Sequence, residues 1–195
     1  MEIGMKIMNK KYKKIVGVLM ISLLLPNSFL GIGNSREVKA MDRMEEVVCR
    51  YVKISENEEP RYDRDRAIEE EVDEYTLEVM DKYYEIAVAY YQDQEGVMER
   101  VRVPVYGNWC GPEYGSGTPI DLLDTGCMNH DKCYGRGPYY SCACDKELIR
   151  YIDKNIGKMT GGQKRAAQAV RIFFANKIKN VVNREEDGKW TNCVK

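Results

Sequence analysis

The chain contains a single histidine, His130, in the segment GCMNHDKCY at residues 126–134. An imidazole can act as a base near neutral pH, and the adjacent carboxylate of Asp131 is a type of ligand that hard cations prefer. Another carboxylate, Asp145, follows downstream in the segment CACD at residues 142–145. These residue types and their spacing predict general-base chemistry beside a cation site, in a segment that carries several cysteines.

The spacing of these residues predicts which of them would share one face of a helix. Residues three or four apart share one helix face, so His130, Cys133 and Tyr134 lie together with Cys127. Asp131 is rotated by about 100° from its neighbour. We expect Asp131 to face an upstream loop and His130 to face a second helix, where Asp145 would fix its other ring nitrogen. Tyr134 either donates a hydrogen bond to that carboxylate or only fills the core.

The upstream loop, residues 107–119, is rich in glycine and proline. Because glycine accepts unusual backbone angles, several carbonyl oxygens of such a loop could converge on calcium. A disulfide between Cys110 and Cys127 would hold the loop beside Asp131. If Cys144 pairs with Cys133, two helices lie side by side. The full connectivity does not follow from sequence alone.

The elements that must position these residues are helical. Asp121 is a candidate cap for a helix that runs past Tyr134 to the breaker at 135–138, and a second helix is expected to begin near Ser141. After Gly161-Gly162, a third, basic amphipathic helix is expected over 163–182. Upstream, one helix is expected from Arg61 to about 94, with an apolar stripe. The stripe consists of Ile68, Val72, Tyr75, Val79 and Tyr83.

The N-terminus is typical of an export signal. A lysine-rich start precedes an apolar run at 15–25, Pro26 interrupts it, and Val38-Lys39-Ala40 offers small or tolerated residues before a cut after Ala40. We expect residues 1–40 to be a signal peptide, with an uncleaved anchor as the alternative. In an exported chain, cysteines are expected in disulfides, with Cys49 left over as a free thiol or an intermolecular partner. The disulfide candidates are Cys110, Cys127, Cys133, Cys142, Cys144 and Cys193.

Charge divides the remaining chain into two parts. Residues 41–99 carry 19 acidic against 7 basic residues, and residues 100–195 carry 16 basic against 10 acidic ones. We expect an acidic helical extension followed by a basic catalytic domain. The extension is either a solvated helix packed on the domain or a propeptide that covers a basic, lipid-facing surface. The basic helix is either an ordinary packed helix or one that favours an anionic membrane.

Four motifs follow one another along the chain: YGNWCG at 106–111, GSGTP at 115–119, LLDTGCMNHDKCY at 122–134 and CACD at 142–145. Over residues 106–145 the chain resembles the secreted phospholipase A2 family. That resemblance implies calcium-dependent hydrolysis of the sn-2 ester of glycerophospholipids by an exported enzyme that acts on a membrane surface, with no nucleic-acid partner. By that resemblance, His130 activates water, Asp145 orients His130, and Tyr134 belongs to the same catalytic group. The implied calcium ligands are the Asp131 carboxylate and the carbonyls of Trp109, Gly111 and Glu113. The N–H of Gly111 would stabilise the developing oxyanion.

The chain departs from the family pattern in four places. Glu113 stands where the loop usually has glycine, and an apparent extra loop residue makes Tyr114 an alternative third carbonyl ligand. Gly126 replaces a cysteine. The connection after Tyr134 is short and omits a β-hairpin, which is similar to compact bacterial members. The expected fold is therefore all-α: a disulfide-linked antiparallel helix pair with a calcium-binding loop, plus an N-terminal helical extension.

Two other classes of function fit some of these features. A catalytically silent relative would keep the fold and bind calcium or a receptor. A zinc-binding structural module would use Cys127, His130 and Cys133 with Cys142 or Cys144, a spacing that can bind zinc. The carboxylates favour the enzyme over both alternatives.

Overall fold

The computed structural model describes residues 30–55, 58–95, 104–112, 114–136 and 141–183. These residues are mostly α-helical, with one small antiparallel hairpin, so the all-α prediction is confirmed. None of the described helices is both long and apolar enough to cross a membrane. The elements in chain order are α1 (Leu30–Tyr51), β1 (Val52–Lys53), β2 (Arg61–Tyr62), α2 (Arg64–Glu69), α3 (Glu74–Glu95), α4 (Leu122–Tyr134), α5 (Cys142–Asn155), a 3-10 turn (Ile156–Lys158) and α6 (Gly161–Asn183).

Helices α4 and α5 form the predicted antiparallel pair. The disulfide between Cys133 and Cys144 joins the end of α4 to the start of α5, with the Cα atoms 5.8 Å apart. At the other end of the pair, a Cβ on Gly126 would lie 2.9 Å from the ring of Tyr151. The absence of a side chain at Gly126 therefore lets the two helices approach closely.

Helices α3 and α6 form the most extensive interface between described elements. Side chains of α3, including Val79, Met80 and Tyr83, are fully or almost fully buried against those of α6, including Ile172 and Phe173. Burial of apolar surface is the main favourable term in folding. The acidic extension is thus part of the hydrophobic core that supports the rest of the chain.

The single helix expected from Arg61 to about 94 is wrong. Two capping carboxylates explain why the stripe is divided: Asp63 accepts the N–H of Arg66, and Asp73 accepts the N–H of Thr76 at 3.0 Å. Side-chain caps of this kind start new helices. Between them, Glu71 adopts a positive φ of 56°, which a continuous helix does not accommodate.

The N-terminal predictions fall partly outside the described residues. Helix α1 runs across Ala40, and Met41 in that helix is buried. Residues 1–29 are not described. The signal peptide assigned to 1–40 therefore stays a prediction. The segment 54–60 connects β1 to β2, with residues 56–57 not described. The boundary expected at residue 99 also lies outside the described residues.

Candidate active site

The glycine-rich loop is fastened to α4 by a carboxylate that sequence reasoning missed. Asp124 is fully buried and accepts backbone N–H groups from Asn108 at 3.0 Å, Trp109 at 2.8 Å and Ile120 at 2.9 Å. Gly107 has a φ of 58°, and a Cβ there would lie 2.5 Å from the Asp124 carboxyl carbon. Glycine is required at that position because both the backbone conformation and the close approach exclude a side chain.

Two cysteine pairs hold the elements that carry the site. Cys110 in the loop is bonded to Cys127 on α4, with Cα atoms 5.1 Å apart, and Cys133 is bonded to Cys144. Neither Cys127 nor Cys133 therefore offers a thiolate, and the zinc interpretation is wrong. Cys142 is also disulfide-bonded, Cys49 is free, and Cys193 lies outside the described residues.

The structure brings His130 and Asp145 together in the interior. The Nε2 atom of His130 lies 2.9 Å from Oδ1 of Asp145, and the hydroxyl of Tyr134 donates to the same oxygen at 2.5 Å. Asp145 is fully buried and His130 is 8% exposed. An imidazole whose Nε2 is held in this way can present Nδ1 to a reacting group.

Burial and hydrogen bonding act against each other on the pKa values of this pair. Burial of His130 lowers its pKa, but the interactions with Asp131 and Asp145 outweigh it, so the pKa is raised. For Asp145, burial raises the pKa, whereas the hydrogen bond from His130 and the charge of Lys177 lower it more. Asp145 is therefore ionised at neutral pH and supports a protonated imidazole.

Asp131 faces the loop, as the rotation along α4 predicts. Its Oδ1 lies 3.8 Å from Nδ1 of His130, and a Cβ on Gly115 would lie 3.0 Å from its Oδ2. Burial raises the pKa of Asp131, with a further contribution from the negative charge of Asp124. A cation at this position would lower the pKa of Asp131 again, because a nearby positive charge favours the ionised carboxylate.

Asp131 shares a cavity wall with residues of the glycine-rich loop. Trp109 and Gly111 lie in the wall shared with Asp131, and calcium prefers carboxylate and carbonyl oxygens. Glu113, the third expected loop ligand, lies outside the described residues. Within the described part of the chain, no three His, Cys, Asp or Glu side chains are grouped so that they could hold a metal ion.

An apolar cavity of about 320 Å³ opens onto His130 and Asp131. Its walls come from the helices α3, α4, α5 and α6 and from the glycine-rich loop with Val105. They combine hydrophobic side chains with few polar groups, the usual composition of a small-molecule site. Helix α3 of the acidic extension supplies Ile86 and Tyr90, which sequence reasoning did not place at the site. The remaining apolar walls are Val105, Pro112, Leu148, Val170, Phe173 and Phe174.

Lys177 is a further residue whose place at the site the sequence did not reveal. Its ammonium nitrogen lies 3.0 Å from Oδ2 of Asp145 and 3.0 Å from the hydroxyl oxygen of Tyr134. The sequence placed it among the cations of a basic helix, and its position one turn after Phe173 and Phe174 is the one signal that it faces inward.

The other cations of α6 pair with acidic residues rather than forming an open basic surface. Arg171 is 7% exposed and pairs with Asp42 of α1 at 2.9 Å. Lys164 pairs with Glu37 at 3.0 Å. Lys179 contacts Glu45, and Arg165 contacts Glu78. The packed-helix interpretation thus describes α6 better than an exposed membrane-binding helix does.

Fold and site together define a disulfide-linked, all-α protein in which a histidine–aspartate pair opens into an apolar cavity beside a glycine-rich loop. Curated proteins with similar sequences indicate the family to which this stretch of the chain is related. Two basic phospholipases A2 of Micrurus nigrocinctus, nigroxin A and nigroxin B, are each 45% identical to this chain over 56 residues, covering 28% of this chain and 46% of theirs. A basic phospholipase A2 of Micrurus mipartitus is 45% identical over 51 residues, covering 21% of this chain and 42% of its own.

This chain therefore spans a little under half the length of the relatives it matches. Over that stretch it is related to the secreted phospholipase A2 family. No protein-family model and no solved structure matches the chain. The similarity to compact bacterial members stays a prediction.

Proposed function

We propose that this chain hydrolyses the sn-2 ester of glycerophospholipids, with His130 as the general base. The observation that carries the proposal is the buried pair of His130 and Asp145, 2.9 Å apart, beside an apolar cavity. The relationship to basic phospholipases A2 supports the choice of substrate. The cavity walls suit an acyl chain because burial of methylene groups is favourable.

The roles of the two residues follow from their contacts. With Nε2–H donating to Asp145, the lone pair of Nδ1 is available to take a proton from a water molecule near the ester carbonyl. The imidazolium that results is stabilised by the ionised, fully buried carboxylate of Asp145. Tyr134 donates to Oδ1 of the same carboxylate, which fixes its orientation. His130 would later return the proton to the departing lysophospholipid oxygen.

The cation site is proposed to hold calcium through the Asp131 carboxylate and the backbone carbonyls of Trp109, Gly111 and Glu113, with Tyr114 as the alternative to Glu113. When bound, calcium would supply positive charge for the developing oxyanion. The N–H of Gly111 would donate a hydrogen bond to that oxyanion. Gly111 has a φ of 151°, a conformation that favours glycine.

We further propose that the chain is secreted and acts at a phospholipid membrane surface. The disulfides support an oxidising compartment, and the ester of a phospholipid is reached at such a surface. For the extension, the burial of α3 and its place in the cavity wall support a permanent part of the catalytic unit more than a removable propeptide.

The deciding experiment measures fatty acid release from phosphatidylcholine and phosphatidylglycerol vesicles, with calcium and with a chelator. The native chain should release fatty acid only with calcium, and His130→Gln should reduce the rate by about 10²–10⁴-fold, the range for loss of a general base. The exposed neighbour variant Asn129→Gln is the matched control and should keep native activity. Calcium binding without fatty acid release would instead indicate a catalytically silent relative.

A further inference from the structure

The carboxylate of Asp145 is contacted on both oxygens by groups from two other helices. His130 and Tyr134 of α4 bond to Oδ1, and the ammonium of Lys177 on α6 lies 3.0 Å from Oδ2. The same ammonium donates to the hydroxyl oxygen of Tyr134 at 3.0 Å. Lys177 thus contacts both the carboxylate of Asp145 and Tyr134, one of the two residues that bond to its other oxygen.

The ammonium of Lys177 is itself held by aromatic rings. It lies 5.3 Å from the ring centroid of Tyr90 on α3, 5.4 Å from that of Phe174 and 5.6 Å from that of Tyr134. Each distance is within the range of a cation–π contact. The Lys177 side chain is 14% exposed, so these contacts act in a largely desolvated environment where they are strongest.

The aromatic residues that contact Lys177 also belong to the cavity wall. Tyr90, Tyr134 and Phe174 all line the cavity, and the ammonium lies against their rings. The ammonium of Lys177 is held by these rings beside Asp145, where it can fix the position of the carboxylate. Burial lowers the pKa of Lys177, while pairing with Asp145 opposes this change, so each partner supports the charge of the other.

We propose that Lys177 is a positioning residue that holds the Asp145 carboxylate charged and in one rotamer, and thereby keeps the proton of neutral His130 on Nε2. The expected effect of Lys177 on the rate of hydrolysis rests on the proposed function. Without the ammonium, Oδ2 loses its charge partner, and a buried carboxylate lacking such a partner reorients or recruits a proton. Either response loosens the hydrogen bond that selects the imidazole tautomer.

The test compares Lys177→Met, which removes the charge at similar length, with Lys177→Arg, which keeps it. The control is Lys164→Met, on the same helix but paired with Glu37 away from the site. We expect Lys177→Met to lower kcat by about ten- to hundredfold, the usual cost of losing a supporting partner, with KM within twofold. Lys177→Arg should recover part of kcat, and Lys164→Met should match the native chain.

A second measurement does not depend on activity. His130 is the only histidine, so nitrogen chemical shifts of ¹⁵N-histidine-labelled protein report its tautomer without ambiguity. At a pH above the raised pKa of His130, where the ring is neutral, the native chain should show mainly the Nε2–H form and Lys177→Met a mixture. If the Met variant does not fold, Lys177→Gln replaces it. If neither folds, the native chain should show a slowly exchanging Lys177 ammonium resonance that Asp145→Asn abolishes.

An unchanged tautomer in a folded neutral variant, kcat within twofold of native, or an effect on KM alone would overturn the positioning role. Lack of a slowly exchanging ammonium resonance in the native chain would do the same. A shifted tautomer in a chain that releases no fatty acid would leave Lys177 in its role and reject the proposed function instead. The two proposals therefore fail on different readouts.

Discussion

The carboxylate of Asp124 accepts the backbone N–H of Trp109 at 2.8 Å, and this bond joins the first turn of α4 to the loop that faces Asp131. Two more backbone N–H groups, from Asn108 and Ile120, converge on the same fully buried side chain. A carboxylate that accepts several N–H groups replaces the water these groups would otherwise bind. The position of the loop relative to Asp131 therefore depends on Asp124.

Replacing Asp124 should loosen the loop. In Asp124→Asn the amide NH₂ would face one of the backbone donors, leaving a buried group unsatisfied at a cost of about 1–3 kcal/mol. We expect the free energy of unfolding, measured by urea denaturation, to fall by that amount and calcium affinity, measured by calorimetry, to weaken. Asp65→Asn, an exposed acid in the first turn of α2, is the control. Native stability and affinity in Asp124→Asn would show that the loop is held without this carboxylate.

Asp145 should matter for rate more than for binding. Asp145→Asn keeps the shape of the side chain but favours the wrong imidazole tautomer, which in comparable sites lowers kcat by about 10⁴-fold. Vesicle hydrolysis with calcium should show this loss while vesicle binding, measured by sedimentation, stays native. Glu147→Gln, an exposed acid two residues along α5, should keep its activity. An Asp145→Asn rate within tenfold of native would argue that another group orients His130.

Local sequence signals predicted the parts of the site that depend on one helix. The rotation between His130 and Asp131 follows from helical geometry, and Asp121 caps α4 as expected by accepting the N–H of Asp124 at 3.0 Å. Both features are fixed by residues a few positions apart. The helix boundary at Gly135 was equally predictable, because the glycine- and proline-containing segment after Tyr134 stops the helix.

Residues that act across helices could not be predicted in the same way. Lys177 is 32 residues from Asp145 along the chain, and only its position one turn after Phe173 and Phe174 distinguishes it from the other cations of α6. Tyr90 had no local signal for the cavity. Their roles depend on how α3, α5 and α6 pack, which is decided by apolar burial rather than by short-range spacing. The division between α2 and α3 was missed because two short capping signals overrode a continuous apolar stripe.

The pKa of His130 sets the expected pH dependence. Activity requires the neutral imidazole, so the rate should rise as pH increases through the pKa, with a midpoint above the ordinary histidine value because the pKa is raised. For stability the sign is opposite: the favoured charged form stabilises the fold below the unfolded pKa, and this contribution is lost as pH rises through the folded pKa. Proton NMR of the single histidine in chelator gives the pKa directly.

The variant Asp145→Asn offers a check on the cause of that shift. Without the negative charge, the midpoint of the His130 titration should move down, because an opposite charge nearby is what favours the imidazolium. The exposed-site variant Glu147→Gln should leave the midpoint where it is in the native chain. A midpoint at or below the ordinary histidine value in the native chain would mean that burial outweighs both neighbouring carboxylates.

Removal of residues 41–97 should destroy the fold rather than release activity. The removed segment contains Val79, Met80 and Tyr83, which are buried against α6, and each such side chain contributes about 1.5–3 kcal/mol by burial. Typical domains are stable by only about 5–15 kcal/mol. We expect loss of cooperative thermal unfolding by circular dichroism, together with loss of vesicle hydrolysis.

A milder change separates masking by charge from support by packing. Asp42→Asn and Glu78→Gln together remove acidic partners of Arg171 and Arg165 without removing α3. If the extension only masks basic groups, this double variant should hydrolyse phosphatidylglycerol vesicles faster than the native chain, and the truncated chain faster still. We expect less than a twofold change in the double variant, because α3 remains in the cavity wall through Ile86 and Tyr90. A folded truncated chain with raised activity on anionic vesicles would establish the extension as an inhibitory propeptide.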